Sequence, residues 1–329
     1  MNTYKYIDQI RVSALLGILI TCGLGTTLWG HGSHAVGGDF VVDDGFGDAV
    51  PWTHLDANND PDNFQFVIVA DRTGGMRRGI FDAAVDKINL MQPEFVVSVG
   101  DLIPGKRDTD SNELLDTMWD EFNSMVNRLE MPFFYVSGNH DIYNSLMGEQ
   151  WANRFGPSYY SFKYADVLFI ILNTEFINNH QNKWPGMHEA QLDWLKGVIS
   201  KEVDVRWTVL LLHEPMWNYK HDPVIPDEYR DIHERWLEVE RAFERKKLTL
   251  FAGHRHHYKK EIRNNHEYFT LATTGAGNKL RGIDYGEFDH FLWVTMTDDG
   301  PVIANLLMDG VLDPNIVPTV PPYNVIPQE

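Results

Sequence analysis

The 329-residue sequence is poor in cysteine, in positive charge and in long apolar runs. Its single cysteine, Cys22, excludes an internal disulfide, although a chain of this length has ample material for a core without one. Lys and Arg number 28 against 47 Asp and Glu, giving a formal net charge of −19. So acidic a chain lacks the cationic surface that displaces counterions from nucleic acid, which excludes a general nucleic-acid binder and disfavours a nuclease. An anionic small substrate stays open, because bound metal ions reverse the charge of a local pocket. No internal repeat or low-complexity tract is visible. At 43% apolar and 23% charged residues the composition is that of a globular protein.

One apolar run stands apart. Lys5 and Arg11 precede Val12 to Trp29, and a Gly-rich stretch follows. That order reads as an export signal over residues 1–35, or as an uncleaved membrane anchor, since the run nearly spans a bilayer. Either reading places the chain outside the cytoplasm, in a periplasmic or extracellular setting, with membrane attachment through this segment as the second option. Residues 36–63 are rich in Gly, Asp, Asn and Pro and form a lead-in segment. A main domain over 64–310 and an extended, proline-bearing tail over 311–329 complete the division.

Within the main domain, short apolar runs alternate with helical periodicity. Strands are predicted at 64–70, 94–99 and 131–136, with helices at 79–90 and 111–129 between them. Further strands are expected at 167–172, 206–212 and 248–251, separated by helices near 187–200 and over 228–245. After His256 the segments 258–263, 268–272, 291–297 and 302–307 read as consecutive antiparallel strands. Two sheets packed face to face, with helices outside, are the simplest architecture.

Several of these strands end in a residue that can bind a metal. Asp71 closes VIVAD, Asp101 closes VVSVGD, Asn139 and His140 lie in FYVSGNHD, His213 closes VLLLH, and His254 and His256 lie in FAGHRH. Functional groups of open α/β sheets collect beyond the carboxyl ends of strands. Carboxylate, amide and imidazole donors gathered there are what a two-metal hydrolytic centre requires.

The same residues resemble the calcineurin-like metallophosphoesterase family, whose pattern is D-x-H, G-D, G-N-H-[DE], H and G-H-x-H. Here it reads Asp71, Gly100-Asp101, Gly138-Asn139-His140-Asp141, His213 and Gly253-His254-Arg255-His256, over roughly Gln65 to Leu307. The resemblance implies a four-layer α/β/β/α sandwich of two mixed sheets. It implies two divalent ions (Mn, Zn, Fe or Mg) bridged by Asp101, one completed by Asp71 and His256 and the other by Asn139, His213 and His254. It further implies a metal-bound hydroxide as nucleophile, with His140 contacting phosphate and assisting the leaving alkoxide, and Asp141 orienting His140. One departure is Thr73, which stands where the family's D-x-H histidine falls; a hydroxyl is a poorer ligand than an imidazole. Pro104 stands where related purple acid phosphatases use tyrosine, which disfavours a tyrosine-ligated ferric ion.

The DRTGG stretch, with Arg72, Gly74, Gly75, Arg77 and Arg78, reads as a phosphate-facing loop, and Arg281 in GAGNKLRG as a second substrate contact. The expected function is hydrolysis of a small phosphomonoester or phosphodiester, with no protein partner. The alternative is a non-catalytic or weakly catalytic protein that captures phosphate or a ligand through a degenerate first metal site.

Overall fold

The computed structural model describes residues 34–35, 40–42, 47–56, 64–177, 183–185, 187–221 and 230–312. The signal or anchor segment, apart from His34–Ala35, and the tail beyond residue 312 lie outside the described residues. Among the described residues no helix is long and apolar enough to cross a membrane.

The strands, in chain order, begin with β1 (His34–Ala35), β2 (Phe40–Val42), β3 (Gln65–Val69), β4 (Phe95–Ser98) and β5 (Phe133–Phe134). Then follow β6 (Tyr160–Tyr164), β7 (Val167–Ile171), β8 (Glu175–Ile177), β9 (Lys183–Pro185), β10 (Trp207–Leu211) and β11 (Leu248–Ala252). The last are β12 (Lys259–Arg263), β13 (His266–Thr270), β14 (His290–Thr297), β15 (Gly300–Leu307) and β16 (Gly310–Leu312). One sheet has the order β16-β15-β14-β3-β4-β5 and the other β1-β2-β6-β7-β10-β11-β13-β12, while β8 and β9 pair as a separate hairpin. Strands β3, β4 and β5 run parallel, as do β7, β10, β11 and β13, and antiparallel strands flank both groups. The parallel strands are short runs of Val, Ile, Leu and Phe buried on both faces, as a sheet covered on each side demands.

Aromatic rings hold the sheets together. Phe66 on β3 and Phe95 on β4 each meet Phe169 on β7 edge-on at 5.2 Å, and Phe134 stacks on Phe162 at 4.0 Å. All of these rings are buried, and burying each contributes roughly 1.5–3 kcal/mol. Outside the first sheet lie α1 (Ile80–Met91), α2 (Asn112–Val126) and α3 (Ser145–Phe155). Outside the second lie α4 (Glu189–Lys201) and α5 (Arg230–Ala242). The apolar stripe Phe81, Ala84, Val85 and Ile88 fixes the inner face of α1, and Leu115, Trp119, Phe122 and Val126 that of α2. Ser111 caps α2 by accepting from the Leu114 amide. The result is the four-layer α/β/β/α sandwich of two mixed sheets.

The additions to the expected elements are β1, β2, β6, α3, the β8–β9 hairpin and β16. Within the lead-in segment, Phe40–Val42 pairs with β6, and Phe40 is fully buried among Phe95, Phe134 and Tyr164. A three-residue strand among Gly and Asp gives too short a pattern to read. Helix α3 was hidden by Gly148 and by a narrow stripe of Met147, Trp151 and Phe155.

Candidate metal centre

Asp71, Asp101, Asn139, His213 and His254 all lie a few residues beyond the carboxyl ends of β3, β4, β5, β10 and β11, and His256 follows. The fold brings their donor atoms together. His256 Nε2 lies 3.2 Å from Asp71 Oδ2, and donor atoms of Asp71, Asp101 and His256 all lie within 4.8 Å of one another. A second group adjoins it. His213 Nε2 is 3.3 Å from Asp101 Oδ2 and 3.1 Å from Asn139 Oδ1, and His254 Nδ1 is 2.8 Å from that same amide oxygen. His254 Nδ1 and His213 Nε2 are 3.3 Å apart.

The imidazoles are aimed by backbone carbonyls. His213 Nδ1 faces Val99 O at 2.8 Å, His256 Nδ1 faces Gly277 O at 2.7 Å, and His140 Nδ1 faces Gly105 O at 2.6 Å. A carbonyl oxygen only accepts, so each Nδ1 carries a proton and each ring turns its Nε2 inward, where it offers a lone pair once that nitrogen is deprotonated. None of the three carbonyls has a side-chain signature, which is why sequence reasoning missed them.

The centre is buried and electrostatically polarised. Asp71, Asp101 and His213 are at most 1% exposed. Burial alone would lower the proton affinity of His213, but the Asp101 carboxylate beside it holds its pKa well above the usual imidazole value, with Asp71 and Glu175 adding to the effect. Burial likewise opposes a charged His256, and Asp71 raises its pKa despite that. Burial would raise Asp101, but His213 and then His140 hold it below the usual carboxylate range. Asp141 is pushed up to about 8 by burial and then by Asp101, against the backbone N–H groups that bond it. Two buried polar atoms lack a hydrogen-bond partner in this region: Asp71 Oδ1 and His140 Nε2. Acceptor atoms crowded to about 3 Å, with an orphaned carboxylate oxygen among them, fit a site built for cations.

Glycines let the strand-end loops close on the donors. A Cβ at Gly74 would lie 2.7 Å from His256 Cε1 and 3.4 Å from His140 Nε2, so Gly74 keeps open the space where those two rings meet. A Cβ at Gly253 would lie 2.1 Å from Asp71 Oδ1. Thr73 is buried, and its amide donates to Asp101 O at 3.1 Å.

The structure shows what the remaining expected site residues touch. The Asp141 carboxylate bonds backbone amides and not the His140 ring. Its Oδ1 accepts from the Leu102 and Ile103 amides at 2.8 and 3.0 Å and its Oδ2 from the Gly138 amide at 2.8 Å, so it ties the Asp101 loop to the Asn139 loop while Gly105 orients the imidazole. The Arg72 guanidinium donates to Leu102 O, pairs with Glu121 at 3.0 Å and lies over Phe122. Arg281 is likewise engaged by Glu287 and stacked over Tyr285 at 4.0 Å. Arg77, in the presumed phosphate loop, pairs with Asp289 and donates to Ala276 O. The glycines of that loop border the centre; of its arginines, Arg72 and Arg77 brace surrounding chain.

The family model for calcineurin-like phosphoesterase matches residues 53–258. Human serine/threonine-protein phosphatase CPPED1 is 30% identical over 187 residues, which is 54% of this chain and 54% of that protein. The chain thus spans about half the length of the curated relatives it matches. Among solved structures, the purple acid phosphatase PPD1 from yellow lupin (Lupinus luteus) seeds superposes with a TM-score of 0.57 at 14% identity, covering 77% of this chain and 53% of that one. GAP50, the anchor in the inner membrane complex of Plasmodium, superposes with a TM-score of 0.51 at 15% identity, covering 79% and 92%. At these identities the two structures show a shared fold.

Proposed function

Because the chain belongs to the calcineurin-like phosphoesterase family, we propose that it hydrolyses phosphate monoesters or diesters at a pair of divalent cations, of Mn, Zn, Fe or Mg. The observation that carries this reading is the cluster of inward lone pairs around Asp101, with Asp71 Oδ1 left unsatisfied beside them. Asp71, Asp101 and His256 would hold one cation, and Asp101, Asn139, His213 and His254 the other. Bound there, the cations would acidify a coordinated water and polarise the phosphoryl group, an effect worth several kcal/mol in the transition state.

The chain's own residues do the rest. His140, locked by Gly105, keeps its Nε2 beside Gly74 and His256, where the doubly protonated ring can donate to a phosphoryl oxygen. With Nδ1–H committed to that carbonyl, proton delivery to a leaving alkoxide requires the doubly protonated ring. Asp141 fixes the spacing of the two loops that carry Asp101 and Asn139. The apolar N-terminal segment makes export part of the same proposal.

A second reading draws on Thr73, which leaves the Asp71 and His256 group one imidazole short of the family pattern. On that reading the protein captures a phosphate ligand without turnover. Hydrolysis of 4-nitrophenyl phosphate and bis(4-nitrophenyl) phosphate, measured with each of the four metals alongside metal content per chain, separates the two. Since human CPPED1 bears the name of a serine/threonine-protein phosphatase, phosphoserine and phosphothreonine peptides belong in the same panel. A folded His213→Ala variant should lose at least about a hundredfold in rate, given that outer groups around metals already reach 10–100-fold. Undiminished hydrolysis by that variant would overturn the proposal.

A further inference from the structure

A cavity of about 240 Å3, room for roughly eight non-hydrogen atoms at 30 Å3 each, is lined by chain that continues into the donor loops. Ile142 in its lining directly follows Asp141. Asn173 Oδ1 lies 3.4 Å from Ser137 Oγ, two residues before Asn139. The hydroxyl of Thr174 accepts from the Glu214 amide at 3.1 Å, one residue after His213.

The lining combines two chemistries. It holds aromatic rings, Trp151 and Tyr159, the latter packed on Trp194 at 5.0 Å. It also holds Glu175, only 2% exposed, with the Thr174 hydroxyl donating to its Oε1 at 3.1 Å. Asn173 and Gln191 bond each other: Gln191 Oε1 accepts from the Asn173 amide and Gln191 Nε2 donates to Asn173 O. Among the described residues no Lys or Arg lines the cavity, and the basic side chain in its lining is His188, whose Nδ1 accepts from the Ala190 amide. A buried carboxylate and aromatic rings lining one cavity, near the loops of a phosphoesterase centre, are the chemistry that recognises an ammonium group.

We propose that this cavity receives the alcohol part of the substrate and that Glu175 and Tyr159 select esters whose alcohol carries an ammonium group, that is, phosphorylated amino alcohols. The inference rests on the phosphoesterase reading above. In the reaction, water adds across the ester P–O bond, leaving inorganic phosphate and the amino alcohol, which takes the proton. The cationic group stays in the cavity and does not react.

The test compares phosphocholine with 3,3-dimethylbutyl phosphate, its neutral isostere, on the metal-loaded full chain. The wild type should favour phosphocholine by about tenfold or more in kcat/KM, the discrimination expected of a desolvated cation against an aromatic face and a carboxylate. Glu175→Gln should bring that ratio close to one, and Tyr159→Leu should lower it, with folding checked by circular dichroism; the Tyr159 variant decides if the Glu175 variant does not fold. Calorimetric titration with choline chloride separates the two levels of inference. Choline binding that weakens in Glu175→Gln, without hydrolysis of any ester, would sustain the cavity while sinking the phosphoesterase reading. Hydrolysis of both esters at equal kcat/KM, or no choline binding by the folded wild type, would overturn the cavity's assignment.

Discussion

Replacing Gly138 by alanine isolates one cause, close approach, from the other reason a chain keeps glycine. Gly138 does not adopt a positive φ, so its backbone conformation is open to alanine. What forbids the methyl is space. A Cβ there would sit 2.4 Å from the Asp101 amide nitrogen, 2.4 Å from Asp101 Oδ1 and 2.9 Å from His213 Nδ1. Against the ~3.5 Å of an unstrained contact, the shortfall is about 1 Å toward Asp101, and both contacting atoms are fixed. The Asp101 carboxylate is held by the His140 amide at 2.8 Å, and Gly138 itself is tethered to Asp141. Relief therefore moves the Asn139 loop away from the Asp101 loop. Overpacking of this kind costs about 1–3 kcal/mol, or roughly 2–10 °C in Tm for a domain of this size. A displacement of about 1 Å among reacting groups costs about a hundredfold in rate, so kcat should fall far more than stability does. Thermal melts and steady-state hydrolysis of 4-nitrophenyl phosphate measure the pair. Gly197→Ala is the control: it lies inside α4 with nothing within 4 Å of its added methyl, and should stabilise by about 0.5–1 kcal/mol. A Gly138→Ala protein with unchanged Tm and full kcat would refute the geometry.

Chelation should destabilise the protein, and the pH response of the stripped form has a definite sign. His213 and His256 have raised pKa values in the metal-free fold, so their contribution is present below about 6.5 and is lost as pH rises through the higher folded values; melts at pH 6 and 8.5 check this. Metal affinity should rise over the same range, because the ligands must shed protons; calorimetry with Mn reads it. Glu94, raised to about 7 by burial, binds the Gln65 amide at 2.5 Å and should weaken the fold as pH rises from 4.5 to 7. Glu94→Gln should remove that loss, gaining about 1–3 kcal/mol at pH 8 in urea titrations. Arg77→Ala strands the Asp289 carboxylate and frees Ala276 O next to the carbonyl that aims His256; a loss of about 2–4 kcal/mol in urea titrations and a weakened Mn affinity are expected.

The parallel strands other than β13, helices α1, α2, α4 and α5, and the residues that gather at the centre were legible because each leaves a local mark; β13, expected to be antiparallel, runs parallel to β11. A run such as FQFVIVA ending in Asp, or a stripe such as Phe81, Ala84, Val85 and Ile88, carries its own period. What stayed hidden depends on distant chain. Arg72 reads as a phosphate ligand beside two glycines, yet Glu121 on α2 and the Leu102 carbonyl claim it. Asp141, next to His140 in sequence, turns instead to three backbone amides, two of them in the Asp101 loop. Phe40 reads as loop because its partners, Phe95 and Tyr164, lie more than fifty residues away. Arginines and carboxylates have several suitable partners in any fold, and sequence adjacency does not choose among them.

Backbone strain points to the same place as the donor set. Among the described residues, nine other than glycine have positive φ. Most follow from local geometry. Ala165 and Asp166 form the two-residue turn between β6 and β7, Asn264 and Asn265 that between β12 and β13, and Gln92 ends α1. Leu280 sits at the exposed tip of the loop before Arg281. The remainder are Asp101 (φ 58), His254 (φ 69) and His256 (φ 53), each a donor. None lies in a hairpin turn, and a non-glycine residue held in this region costs about 1 kcal/mol or more. The surroundings hold them there: Asp101 O accepts from the Arg72 and Thr73 amides, the His254 amide donates to Asp71 Oδ2, and Gly277 O fixes the His256 ring. A glycine at any of the three would relax the backbone but remove the donor. On the proposed two-cation reading, the strained carboxylate and two strained imidazoles place metal donors at a cost in stability.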